Sequence, residues 1–181
     1  VRRFWRNGGD SALIGYGFLS GPNQYKQLDD LCNSHGVDFA SIDMGDGNRQ
    51  AEILEACRQY GFTPMKGSSR ESNMPLIFRE SSVNELTGRN GGEESTRFLE
   101  VATGRVKELL YENYAGKGKE RFWIAADTPE EYCIQVTSEK FNHDTELWEL
   151  RDGCKDNHLL DCEVNLYAAA THQGYMVKVG E

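Results

Sequence analysis

Two aspartates stand where a carboxylate can do metal chemistry. Asp43 ends a short, mostly apolar run, VDFASID from Val37, and precedes the loop Met44-Gly45-Asp46-Gly47. In open α/β sheets the ligand crevice lies outside the carboxyl ends of the strands. A carboxylate there faces that crevice, and Gly45 and Gly47 leave room for a substrate backbone. The competing reading is local: Asp43 caps its own loop through hydrogen bonds. Asp161 sits in Asn157-His158-Leu159-Leu160-Asp161-Cys162, early in a C-terminal helical segment. It is either a first-turn partner of the helix dipole or a buried ligand. Two carboxylates brought together by different elements, with water nearby, suit a hard cation such as Mg²⁺ or Mn²⁺.

Other residues extend this set. His158 can orient a carboxylate, contact a phosphate or act as a base, or be a structural hydrogen-bonder near a helix start. Glu139 is either a surface or hairpin residue or a further acid of the site. Lys66 and Arg70, in Lys66-Gly67-Ser68-Ser69-Arg70, either contact a phosphate backbone or lie in a solvated loop. Acids crowd one stretch: Glu139, Asp144, Glu146, Glu149, Asp152, Asp156, Asp161 and Glu163 face only Lys140, Arg151 and Lys155. Such a cluster repels itself unless cations fill it. Neither Lys66–Arg70 nor Gly116-Lys117-Gly118-Lys119 matches a phosphate-binding P-loop, so nucleotide hydrolysis is excluded here.

The elements that must position these groups can be read from spacing. Val1–Trp5 and Ala12–Ser20 read as a hairpin around Asn7-Gly8-Gly9-Asp10. A helix runs from Asn23 to Asn33, then the strand ending at Asp43. Asn48 is placed to cap a helix carrying Ile53, Leu54, Cys57 and Tyr60, which Gly61 stops before a strand at Phe62–Met65. Strand, helix, strand at these lengths is a parallel crossover in an α/β sheet. Lys66–Gly92 is loop-like, and residues 66–97 are expected to be a mobile loop region. Phe98–Ala102 and Phe122–Ala125 read as strands, with a helix at Gly104–Tyr114 between them. Thr128-Pro129-Glu130-Glu131 reads as a capping box opening a short helix. Lys140–Arg151 reads as a hairpin bending at Asn142-His143-Asp144. Asn157 is placed to cap the last helix, His158 to Thr171.

Composition bounds the class. The 181 residues are 38% hydrophobic and 27% charged, which suits one domain with a real core. Aromatics at 10% argue against disorder. No apolar run approaches the roughly 18 residues of a membrane span. Five cysteines, an odd number with no C-x-x-C, argue against a zinc site or a disulfide framework and for free thiols. The net charge of -9 counts against strong DNA binding by this chain alone. It does not exclude a DNA partner if metal ions, rather than lysines, meet the phosphates.

The order of these motifs resembles a known family. Ser41-Ile42-Asp43-Met44-Gly45, a helix, Phe62-Thr63-Pro64-Met65-Lys66-Gly67 and Asn157-His158-Leu159-Leu160-Asp161-Cys162 resemble the nuclease domain of tailed-bacteriophage terminase large subunits. The resemblance is especially to the branch related to phage lambda's packaging protein. Tyr132–Glu139 (YCIQVTSE) and Trp148 resemble family positions before the last motif, and the likeness spans Val1 to Ala170. The resemblance implies a single RNase H-like domain over residues 1–181, a mixed sheet flanked by helices. It implies an endonuclease that cuts concatemeric viral double-stranded DNA, using two divalent ions, Mg²⁺ or Mn²⁺. Asp43 and Asp161 match the second and third family acids. The family's first acid lies on the first, central strand, and the hairpin at Val1 resembles the segment after that strand. That strand and its acid are therefore expected to be absent from this chain, with metal binding and cleavage severely weakened or lost in the fragment.

On this reading Asp43 and Asp161 are the catalytic metal ligands, Glu139 is a supporting metal ligand, His158 is a supporting catalytic residue, and Lys66 and Arg70 contact DNA. The implied partners are double-stranded viral DNA, an ATPase domain in the same full-length protein, the small terminase subunit and the portal. The implied place is the host cell cytoplasm during phage assembly, with no membrane. Two rivals differ in class: another RNase H-like nuclease, such as a resolvase or transposase core, and a non-catalytic docking module of the packaging motor.

Overall fold

The computed structural model describes residues 1–68, 74, 76–84 and 95–176. It is a mixed α/β chain in two compact units. One unit holds Val1–Tyr16, Met74, Ile77 and the chain from Ala102 onward. The other holds Gly17–Ser69 and Phe78–Val101. No helix among the described residues is long and apolar enough to cross a membrane.

The second unit contains the expected crossover. Strand β3 (Ser41–Asp43), helix α2 (Gln50–Tyr60) and strand β4 (Thr63–Gly67) form it, with Asp43 opposite Met65 in the parallel register. Gly61 ends α2 at φ 74°, the left-handed conformation that a Cβ disfavours. Ile53, Leu54 and Cys57 turn one face of α2 onto Met44, Phe62, Val83 and Phe98. Burial pushes the Cys57 thiol up to about 11, so it stays protonated and packs as a small apolar group. Helix α1 (Gln24–Ser34) packs through Tyr25, Leu28 and Cys32 onto the same core. Asn48 does not cap α2: the helix starts after Arg49 without a side-chain cap.

Part of the stretch expected to be loop is sheet. Strand β5 (Phe78–Asn84) runs antiparallel to β6 (Ser95–Val101), with Phe78 opposite Val101 and Val83 opposite Thr96. The sheet order is β3-β4-β6-β5, so β5 is an edge strand. Its middle, Arg-Glu-Ser-Ser, carries the polar side chains that edge strands tolerate, with Phe78 and Val83 buried at either side. That polarity hides the strand from a pattern search.

In the first unit, β1 (Arg2–Trp5) and β2 (Ser11–Gly15) form the expected hairpin. The two-residue β7 (Phe122–Trp123) adds to β2 in parallel. Helix α3 (Thr103–Tyr114) and helix α4 (Glu130–Val136) both pack on α5 (His158–His172). The capping box at Thr128 does not form: α4 begins after Pro129 and has no side-chain cap. Strands β8 (Glu139–Asn142) and β9 (Leu147–Leu150) make the second hairpin. The Asn142 carboxamide accepts from the Asp144 N–H at its bend.

A buried ion pair ties the first strand to the last helix. Arg3 Nε donates to Glu163 Oε2 at 2.6 Å, and both side chains are wholly buried. Arg3 also donates to Ser11 Oγ and to the Tyr132 hydroxyl, which in turn donates to the other Glu163 oxygen. The guanidinium lies 4.8 Å from the Phe122 ring centroid. Burial works to lower the Arg3 pKa, but Glu163 and Tyr132 hold it above its ordinary value. Breaking such a pair leaves an unpaired charge in the interior. Glu163→Leu should therefore cost about 3–5 kcal/mol in urea unfolding, and adding Arg3→Met should recover most of that loss. A single-variant loss below about 1 kcal/mol would mean that the pair is worth no more than an exposed one.

Candidate functional site

Glu139 is the centre of a polar cluster in the first unit. It is the first residue of β8, 4% exposed, and its backbone is held on both sides. The Tyr111 hydroxyl donates to the Glu139 carbonyl at 2.8 Å, and Arg151 Nε donates to the same oxygen at 3.0 Å. The Glu139 N–H lies 3.2 Å from the Tyr111 oxygen. The Tyr111 ring rests against Trp148 of the facing strand, with centroids 5.2 Å apart. Backbone groups buried at a strand start need such partners.

The Glu139 carboxylate has a donor on each oxygen. Lys107 Nζ donates to Oε2 at 2.7 Å, and Asn157 Nδ2 donates to Oε1 at 2.7 Å. Lys107 and Tyr111 lie four residues apart on α3, so one helix face delivers both to Glu139. The Lys107 ammonium also lies 3.8 Å from Asp161 Oδ1. Lys107 is almost buried, while the Asp161 side chain is 42% exposed. One ammonium thus stands between a buried and an exposed carboxylate.

Asp161 is held by the start of α5. It lies in the first turn, where a negative charge is favoured by the helix dipole. Asn157 makes no side-chain cap, contrary to its expected role. The Leu159 N–H instead donates to Gln135 Oε1 of α4 at 3.2 Å. The α4 side chain takes over the capping and leaves the Asn157 amide for Glu139. The tertiary pairing is the stronger option because Glu139 is a buried charge and the helix end has another acceptor.

The remaining candidates have other surroundings where the structure describes them. Asp43 belongs to the second unit and is exposed at the end of β3. Its neighbour Met44 points into the core, which turns Asp43 outward by strand alternation. Its Oδ1 accepts the Gly45 N–H at 2.8 Å, so the loop-capping contact is made. Gly45 has a second reason to be glycine: a Cβ there would sit 3.1 Å from that oxygen. His158 is 71% exposed, with Asp156 Oδ1 at 3.9 Å from its Nε2. Lys66 is exposed on β4 opposite Glu100. Arg70 lies outside the described residues.

Hard oxygen donors fit Mg²⁺ or Mn²⁺, and Mg²⁺ commonly takes one or two carboxylates and keeps its waters. No group of three His, Cys, Asp or Glu side chains among the described residues could hold a metal ion. Asp161, with its side chain 42% exposed, and the exposed Asp43 each present a carboxylate in their own unit.

Lys107, Asn157 and Gln135 escaped the sequence reading as site residues. Lys107 had a usable signal. It lies three residues before Leu110 on the apolar stripe of α3, where a charged residue needs a buried partner. Gln135 carried no local signal, because its role depends on how α4 meets α5. Gln135→Ala should lower stability by about 1 kcal/mol and speed amide exchange at Leu159. An unchanged Leu159 exchange rate would show that the cap is not needed.

No curated protein and no solved structure matches the chain. Residues 23–179 match the family described as terminase large subunit gpA, endonuclease domain. That stretch covers most of both units and includes every residue of the Lys107–Glu139–Asn157–Asp161 cluster. The chain therefore belongs to the endonuclease-domain family of the terminase large subunit gpA.

Proposed function

We propose that this domain hydrolyses phosphodiester bonds of double-stranded viral DNA during packaging, with Asp161 and Asp43, each in its own unit, as carboxylates for Mg²⁺ or Mn²⁺. The observation that carries this reading is the Asp161 carboxylate. It is exposed in the first turn of α5 and stands beside a buried Lys–Glu pair in a family of endonuclease domains. An RNase H-like fold is consistent with the β3-α2-β4 crossover and the β1-β2 hairpin.

A divalent ion bound there would polarise the scissile phosphate and lower the pKa of a bound water. The chain's own residues would set the stage. Asp161 and Asp43 would each present hard oxygens to a divalent cation, and the two-metal arrangement is the one we favour. Glu139 would hold Lys107, and Lys107 would orient Asp161. His158, exposed one residue from Asn157, would be free to meet a phosphate oxygen or a water. Lys66 and Arg70 would contact the DNA backbone. Their contribution would be small in a chain of net charge -9, so other parts of the packaging motor would deliver the substrate. Such partners would be the ATPase domain, the small terminase subunit and the portal.

The test is cleavage of linear duplex DNA in Mn²⁺ by the full-length protein carrying this domain. Asp161→Asn and Asp43→Asn should each reduce the rate by about 100-fold or more while leaving the melting temperature near the parent's. Parent-like cleavage by Asp161→Asn would sink the reading. Parent-like cleavage by Asp43→Asn would remove Asp43 from it.

A further inference from the structure

The β1-β2-β7 sheet uses its two faces differently. The inner face is filled: Arg3 is tied to Glu163, Ser11 Oγ accepts from Arg3, and the Phe122 ring lies against the same guanidinium. The outer face is open. Phe4 stands opposite Ala12, and Ala12 opposite Trp123, so the three share one row across the sheet. Phe4 is 58% exposed and Trp123 56%, and Ile14, two residues beyond Ala12 on the same face, is exposed as well. With only a methyl group at Ala12 between the two aromatics, the row forms a cleft of about 340 Å³. Clefts from roughly 300 Å³ upward hold small ligands. Arg6, Arg121 and Asp10 line the same cleft. Asp10 fixes Arg121 by accepting its N–H at 2.9 Å and its Nε–H at 3.1 Å. The Arg121 guanidinium lies 5.8 Å from the Trp123 ring centroid, and its side chain stays largely exposed. Two guanidiniums against one carboxylate leave the cleft net positive, in a chain of net charge -9.

We propose that the outer face of the β1-β2-β7 sheet is a platform for single-stranded DNA, with bases stacked on Phe4 and Trp123 and phosphates met by Arg6 and Arg121. Every base offers a flat ring to stack, and the phosphates between bases call for cations. A duplex keeps the faces of its bases inside its own stack, so it fits the arginines but not the rings. A second copy of this face would bring the same arginines against each other. The platform goes beyond the duplex cleavage proposed above and involves no metal. Its charge is modest, so binding is weak and falls with salt.

The experiment is fluorescence anisotropy of a labelled oligothymidylate of about 16 nucleotides, titrated with the 181-residue chain at low salt in EDTA. The parent should bind the single strand about 10-fold more tightly than a duplex of the same length. Phe4→Ala and Trp123→Ala should each weaken single-strand binding by about 10-fold. Their melting temperatures should stay near the parent's, because both rings are more than half exposed. Trp123→Phe should keep the affinity and lose the quenching of tryptophan emission that stacking causes in the parent. Arg6→Gln should weaken binding and flatten the slope of log affinity against log salt by about 0.7.

The proposal is overturned if the parent binds duplex as tightly as the single strand, or binds neither. It is also overturned if both alanine variants bind like the parent, or if Trp123→Phe binds with the parent's full quenching. An abasic deoxyribose-phosphate strand that competes as well as the oligothymidylate would overturn it too, since attraction to phosphate would then suffice. A parent that is dimeric by light scattering and becomes monomeric in Phe4→Ala/Trp123→Ala would assign the face to a second copy instead. Neither Mn²⁺ nor cleavage enters these measurements, so their failure leaves the metal-dependent reading standing, and the reverse holds.

Discussion

The demand that buried charge be paired shapes the first unit more than any other constraint. An ionised group taken out of water without a partner costs several kcal/mol, so each one dictates where its partner's element must go. Glu163 lies on the inner face of α5 with no exposed surface. Its answer is Arg3, 160 residues away in the chain. That single pair locks the opening hairpin against the last helix, and Tyr132 of α4 joins it by bonding both partners. Leu159, Leu160, Val164 and Tyr167 fill the same helix face with apolar surface. They supply burial, and the ion pair supplies register.

The same demand builds the polar cluster one turn earlier on α5. Glu139 is buried because the β8–β9 hairpin begins under α3, and its carboxylate takes Lys107 and Asn157. Asn157 is released for this by Gln135, which accepts from the helix end in its place. Three elements therefore converge on the first turn of α5, and Asp161 rides on that turn with its charge exposed. An acid set on a rigid, fully bonded support holds its geometry better than one on a loop. Asp43 contrasts with it. Strand alternation turns it outward and a glycine N–H steadies it, with lighter support than Asp161 receives.

Much of the second unit was legible because its signals are local. The β3-α2-β4 crossover follows from an apolar run, a helical stripe and the stop at Gly61. The family motifs at Asp43 and Asp161 could be read in the same way, from order and spacing. Caps were read poorly. Asn48, Thr128 and Asn157 all have the right residue type, yet none makes a side-chain cap. Cap propensity describes what a side chain can do in isolation, and a buried carboxylate in reach outbids it, as at Asn157. The edge strand β5 was missed for the opposite reason, since its polar middle follows from its place in the sheet.

By itself the sequence determined the β3-α2-β4 crossover and the family. Those properties depend on spacing along the chain, which folding does not alter. Only the tertiary structure decided which charges are buried and what they meet. Glu139 and Asp161 became neighbours of one lysine because α3, β8 and α5 converge, and the partners come from residues 107 to 161. Desolvation is set by the packing of distant elements, so no local pattern could show that Lys107 would carry the positive charge between them.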